Sequence, residues 1–186
     1  DMTDTMDMTG TMDMTDTMDM TGTMDVTGTM GMTDSMSMAD TASAELQNVA
    51  GDVIGTAIFT QTADGEVNIW VEVTGFTDAK PGEHGIHVHQ IGSCTPEFTA
   101  AGEHYNPDMA KHGLQNPEGT HAGDMPNIEV DEEGNATYST ITNLFTVSAG
   151  DHSILDVDGS ALVIHANPDD QELIRRAEVA VALLVA

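Results

Sequence analysis

Ile86-His87-Val88-His89 alternates an aliphatic side chain with an imidazole across four residues. Successive side chains of a β-strand point to opposite faces, so this segment is expected to bury Val88 in a core and to present His87 and His89 together on the other face. Imidazole is a ligand for both copper and zinc. Alone, a His-x-His pair is a weak sign of metal. Here it is followed by Gly102-Glu103-His104-Tyr105-Asn106-Pro107, Lys111-His112-Gly113, His121-Ala122-Gly123-Asp124 and Val163-Ile164-His165-Ala166-Asn167-Pro168-Asp169-Asp170. Six histidines and Asp124 can fill eight ligand places if one histidine serves two ions, so a two-metal site is expected.

Working outward, short β-rich runs occupy 53–60, 67–73, 86–89, 136–142, 160–165 and 177–185, with turn signals between them. This pattern predicts an all-β sandwich or barrel. Ala63-Asp64-Gly65-Glu66 reads as a hairpin turn joining the first two runs, and Glu132-Glu133-Gly134-Asn135 as the opening of another hairpin. The segment from Gln90 to Asn127 lacks such a pattern and contains His104, His112, His121 and Asp124. A connection of that length without regular structure of its own is usually functional.

The chain has 186 residues, 39% hydrophobic, enough for one substantial core but hardly two. Its 32 acidic residues stand against Lys80, Lys111, Arg175 and Arg176, a formal charge of -28. So acidic a surface argues against nucleic acid and anionic membranes as partners and suits a salt-rich, halophilic setting. The apolar end at 179–186 is far shorter than a membrane span requires. The chain opens at Asp1 without a basic, apolar leader, so an export signal is expected to have been removed or to lie outside it.

Residues 1–40 differ from the domain expected at 41–186. They contain no Lys, Arg, Pro or aromatic residue, and every methionine except Met109 and Met125. The repeating unit is Thr5-Met6-Asp7-Met8-Thr9-Gly10, restarting at Thr11 and Thr17 and degenerating through Thr23, Thr29 and Ser35. A six-residue period matches no helix, and Gly, Thr and Asp disfavour one, so disorder is expected. Thioethers are soft ligands suited to Cu(I). Met6, Met8, Met12, Met14, Met18 and Met20 are therefore candidate Cu(I)-capture residues; the alternative is a solvated spacer.

The metal-site motifs, over about Glu45 to Asp170, resemble the copper/zinc superoxide dismutase family, and the segment from His89 to Phe98 is more similar to bacterial members. The resemblance implies a Greek-key β-sandwich, or flattened barrel, with long metal-binding loops. It implies copper at His87, His89, His104 and His165, zinc at His104, His112, His121 and Asp124, and His104 as the shared, catalytic ligand. It also implies superoxide as substrate, dismutation by copper redox cycling beside a structural zinc, an extracellular or periplasmic location, and a homodimer.

The sequence departs from the family pattern beyond His165. Nine residues separate His165 from Arg175, the candidate anion guide, where the family has a longer loop. This shortening is expected to remove the acidic residue that in the family links a copper histidine to a zinc histidine. Glu178 stands where the family has a cysteine, leaving Cys94 unpaired. Loss of a native disulfide typically costs ~2–5 kcal/mol and is expected to free the ligand-bearing loop. His84 and His152 have no ligand role in the family pattern, and Asp156-Val157-Asp158-Gly159 reads as a turn rather than a calcium loop. The enzyme is the expected function. A non-enzymatic copper-binding or delivery protein on the same scaffold is the alternative, and a zinc-stabilised adhesion module a third.

Overall fold

The computed structural model describes residues 40–77, 80–95, 97–172 and 179–185. Nine strands run through them: β1 Thr41–Asn48, β2 Val53–Gln61, β3 Val67–Val73, β4 Gly82–His84, β5 Ile86–His89, β6 Ile128–Val130, β7 Ala136–Thr142, β8 Ser160–His165 and β9 Val179–Val185. All pairings are antiparallel. One sheet has the order β5-β8-β9-β1-β2-β3-β7, and β4 and β6 form a second ladder. Only Gly85 separates β4 from β5. The chain leaves β3, builds β4, β5 and β6 elsewhere, and returns with β7 beside β3, which is the Greek-key crossing. Among the described residues no helix is long and apolar enough to cross a membrane.

Alternation places the core. Ala42, Ala44 and Leu46 of β1, Phe59 of β2, Val67, Ile69, Val71 and Val73 of β3, Ile86 and Val88 of β5, and Leu162 and Ile164 of β8 are buried in one cluster. β1 begins upstream of where the β-rich texture becomes evident in the sequence. Its inward residues are mostly alanine, and the run Thr41-Ala42-Ser43-Ala44 continues the small, polar composition of the preceding repeat. β4 and β6 also add to the expected set; three residues each are too few for a period to show.

Both expected turns form. In the first, the Thr62 N–H donates to the Glu66 carbonyl at 2.8 Å, and Gly65 adopts φ 87°. That left-handed position favours glycine. The second turn is closed by the Asp131 N–H on the Asn135 carbonyl at 2.9 Å, but its strands are not ladder partners: β6 pairs with β4, and β7 with β3. Asp156 to Gly159 is a turn, with the Gly159 N–H 3.3 Å from the Asp156 carbonyl.

β8 is buried on both faces. Leu162 and Ile164 point into the main core, whereas Ala161 and Val163 meet Ala101, Phe98 and Cys94 of the loop that follows β5. Cys94 is a free thiol, pushed up to about 11 by burial. The loop is nevertheless anchored. Gln90 N–H donates to the Glu103 carbonyl and Ile91 N–H to the Ala101 carbonyl, both at 3.0 Å. Packing and main-chain hydrogen bonds therefore hold the loop where a disulfide was expected to be needed.

Candidate metal centre

The outward faces of β5 and β8 carry the site. Register pairs His87 with Val163 and His89 with Ala161, so His87, His89 and, at the end of β8, His165 project from the side opposite Ile86, Val88 and Leu162. The long loop supplies the rest by pairing its own backbone to β5. Val88 N–H donates to the Gly123 carbonyl at 2.9 Å, and Tyr105 N–H to the Val88 carbonyl at 2.8 Å. Asp124 thus lies across from His87, and His104 across from His89. A Cβ on Gly123 would meet the Val88 carbonyl oxygen at 2.2 Å, so this approach requires glycine.

Two groups of ligand atoms result, each lying within 4.8 Å of one another: His87, His89, His104 and His165, and His104, His112, His121 and Asp124. All the ligand residues expected from the sequence are therefore brought together, with His104 in both groups. Hydrogen bonds identify which ring atoms are available. His87 Nε2 is engaged by Asp169 Oδ2 at 2.8 Å, leaving Nδ1; His89 Nδ1 is engaged by the Gly102 carbonyl at 3.0 Å, leaving Nε2, which lies 3.4 Å from His165 Nε2. On the other side three Nδ1 atoms converge on Asp124 Oδ1: His104 at 2.8 Å, His112 at 3.1 Å and His121 at 3.3 Å. Asp124 Oδ2 accepts the main-chain N–H groups of Gly113 at 2.9 Å and His121 at 3.0 Å, which fixes the carboxylate.

His87 Nδ1, His121 Nδ1 and His165 Nδ1 are buried without a hydrogen-bond partner. A buried polar atom left unpaired costs ~1–3 kcal/mol, so the presence of such orphans in each ligand group calls for an electrophile there. An all-imidazole set suits copper, and three imidazoles with a carboxylate suit tetrahedral zinc. The residues present fit both ions.

The expectation that the shortened loop lacks an acidic link is wrong. Asp169, four residues beyond His165, accepts from His87 Nε2 through Oδ2 at 2.8 Å and from His112 Nε2 through Oδ1 at 3.0 Å, joining one histidine of each group. His87, His112 and Asp169 form a third cluster of potential ligands, but the Nε2 atoms of both rings are already engaged by this carboxylate. The cluster is therefore the bridge between two sites. Asp169 lies in Asn167-Pro168-Asp169-Asp170, directly after the His165 motif. The separation between His165 and Arg175 does not bear on this link, because the chain turns back onto the site immediately after β8.

Electrostatics divide the two groups. Burial pulls His87 down to about 4, against its hydrogen bond to Asp169, and takes His89 to about 3 and His165 to about 2. Those imidazoles are held neutral, the form that binds a metal. Burial also opposes charge on His112, but hydrogen bonds to Asp124 and Asp169 outweigh it and raise the ring to about 10. Burial disfavours the Asp124 carboxylate, yet hydrogen bonds from His104, His112 and the Gly113 N–H, with His121 Nδ1 3.3 Å away, hold it far below the ordinary carboxylate range. Asp169 is depressed likewise, against its burial, by His112 and His87.

His84 is buried and structural: Nδ1 faces the His165 carbonyl and Nε2 the Lys80 carbonyl, both at 2.8 Å. It thereby braces the end of β8. His152 contacts Asp108 at 3.1 Å on the surface. Arg175 and the six candidate methionines lie outside the described residues.

The sequence matches the family model for copper/zinc superoxide dismutase (SODC) over residues 53–181. Two relatives from Aquifex aeolicus, superoxide dismutases [Cu-Zn] 2 and 1, are 44% and 40% identical over 131 and 129 residues, spanning 69% and 68% of this chain and 75% of each relative. Among solved structures, a SOD-like protein from Bacillus subtilis is similar with a TM-score of 0.67 and 31% identity, over 77% of this chain and 97% of that one. The clock protein EA4 is similar with a TM-score of 0.67 and 28% identity, over 80% and 94%. A Greek-key β-sandwich carrying two histidine groups joined through His104, together with these matches, places the chain in the copper/zinc superoxide dismutase family.

Proposed function

We propose that copper is held by His87, His89, His104 and His165 and zinc by His104, His112, His121 and Asp124, with His104 the catalytic residue between them. The observation that carries this reading is the membership of His104 in both ligand groups. Family membership gives the reaction: two superoxide anions and two protons yield dioxygen and hydrogen peroxide. When bound, copper supplies one-electron cycling between two superoxides, and zinc supplies a fixed positive charge on the shared imidazole.

The protein's own contribution is positioning and proton delivery. His104 Nδ1 faces Asp124, so Nε2 is the atom turned to the copper side. The His104 side chain is 18% exposed, against 3% for His87 and 4% for His112. It is thus better placed than either to take a proton from solvent. A proton held at Nε2 can be passed to nascent peroxide, as general acid catalysis requires.

Arg175 is proposed as the anion guide on the register of Arg175-Arg176-Ala177 alone. Charge sets an unusual demand on it. A -28 protein repels superoxide, and the Debye length falls from ~10 Å at 0.1 M salt to ~3 Å at 1 M. Turnover per copper is therefore expected to rise with ionic strength at low salt, and Arg175→Gln to lower it most where screening is weakest. Flash-generated superoxide followed across a salt series checks this; a rate that only falls with salt would mean that a local positive field outweighs the overall charge.

The methionine repeat is proposed to collect Cu(I) and to raise its effective concentration for the domain through the covalent link. The support is its content of soft donors, with a single residue between Met6 and Met8, between Met12 and Met14, and between Met18 and Met20. Deleting residues 1–39 is expected to slow copper loading at limiting Cu(I) without changing turnover once loaded. Equal loading of the shortened and full chains would leave the repeat as a spacer.

A further inference from the structure

We infer that Gln171 is a positioning residue, whose main-chain N–H and side-chain amide hold the Asp169 carboxylate in the orientation from which it directs His87 and His112. This rests on the assignment of copper and zinc given above. The two Asp169 oxygens are used symmetrically. Oδ1 accepts from His112 Nε2 at 3.0 Å and from Gln171 N–H at 3.1 Å; Oδ2 accepts from His87 Nε2 at 2.8 Å and from Gln171 Nε2 at 3.1 Å. A carboxylate offers about four lone-pair sites, and here two go to the histidines and two to Gln171. Rotation of the carboxylate would break a Gln171 bond and an imidazole bond together.

Gln171 is itself held in place. Its amide also reaches the Met125 carbonyl at 3.4 Å, next to Asp124, and its own carbonyl accepts the Gln115 N–H at 2.9 Å. A Cβ on Gly113 would lie 2.3 Å from that carbonyl oxygen, so the zinc-side loop closes directly onto the Gln171 backbone. Asn127 clamps the Asp169 main chain, donating to its carbonyl and accepting from its N–H, both at 3.0 Å. Asn127 thus sets where Asp169 lies, and Gln171 sets how its carboxylate is turned.

The conformation of Gln171 fits this role. Its φ is 61°, a left-handed value that suits glycine, yet glycine has no side-chain donor. Its Oε1 is buried without a partner, so only the amide's donor end is engaged in the site. Glutamate would fill the same volume without that donor and would set a second negative charge against Asp169.

The test compares full-length protein with Gln171→Ala, Gln171→Glu and Gln171→Gly, the last retaining the left-handed backbone if alanine compromises folding. Copper affinity is read by chelator competition, and the copper environment by the parallel hyperfine coupling in the Cu(II) electron paramagnetic resonance spectrum. Loss of an outer partner of a metal-bound histidine typically costs ~10–100-fold in affinity, so about 10-fold is expected for alanine or glycine, more for glutamate, with a shifted hyperfine coupling in each. In an Asp169→Asn background the same Gln171 change is expected to cost less than about 2-fold, because its target has gone. An unchanged spectrum and affinity, or an equal loss in both backgrounds, would overturn the role of Gln171. Failure of the unsubstituted protein to take up copper and zinc would instead overturn the metal assignment.

Discussion

Replacing His165 with alanine is expected to remove copper from the protein while leaving zinc at one ion per chain. His165 is 3% exposed, and its Nε2 lies 3.4 Å from His89 Nε2. It belongs to the group of His87, His89 and His104 and not to that of His112, His121 and Asp124. The main chain of His165 is held independently of the ring. Its N–H donates to the Gly85 carbonyl and its carbonyl faces His84 Nδ1, both at 2.8 Å, so removing the imidazole leaves the end of β8 in place. Since disturbing an outer partner of a ligand already costs ~10–100-fold, losing the ligand itself should weaken copper binding by at least ~100-fold, and copper-dependent superoxide decay should fall with it. Metal counting by mass spectrometry beside the kinetic assay checks both parts. Loss of zinc together with copper would show that the two groups are not separable.

The metal-free protein is expected to lose stability steeply as pH falls below about 6.5. His87, His89 and His165 are held down to about 4, 3 and 2, chiefly by burial, whereas an unfolded histidine titrates near 6.5. Between those values the unfolded chain binds protons that the folded chain refuses, so stability rises with pH throughout this window. Three such groups give a slope of ~4 kcal/mol per pH unit at most, against a total of ~5–15 kcal/mol for an ordinary domain. Asp124 and Asp169 act in the same direction at lower pH, because their depressed folded values mean that their contribution is present above the ordinary carboxylate range and lost as pH falls through it. His112, raised to about 10, acts oppositely: its contribution is complete below about 6.5 and lost as pH climbs toward 10. The metal-free domain should therefore be most stable near neutrality and unfold between about pH 5 and 4. Urea titrations of chelated protein from pH 8 to 4, followed by circular dichroism, measure this directly; stability unchanged between pH 6.5 and 4.5 would mean that the three rings titrate normally.

The portions of this fold legible in the sequence are those where a period or a local motif carries the information. Alternation over Ile86-His87-Val88-His89 set both the strand and the face of the site, and the spacing of His104, His112, His121 and Asp124 marked a loop that wraps an ion. β1 was obscured because Ala42 and Ala44, although buried in the core, are too small to stand out from the repeat before them. Asp169 was missed for another reason. A carboxylate acquires its role from what faces it in three dimensions, and nothing within Asn167-Pro168-Asp169-Asp170 states that His87 and His112 lie on either side. Gln171, Gly113 and Gly123 belong to the same class, since their importance comes from contacts with distant backbone or with Asp169.

The most direct test of the account is superoxide decay by pulse radiolysis on full-length protein loaded with copper and zinc, in the presence of a chelator that silences free copper. One copper and one zinc per chain, with chelator-resistant decay proportional to bound copper, is the predicted result. Full occupancy of both sites without chelator-resistant decay would contradict it and leave a copper-handling protein on a dismutase scaffold.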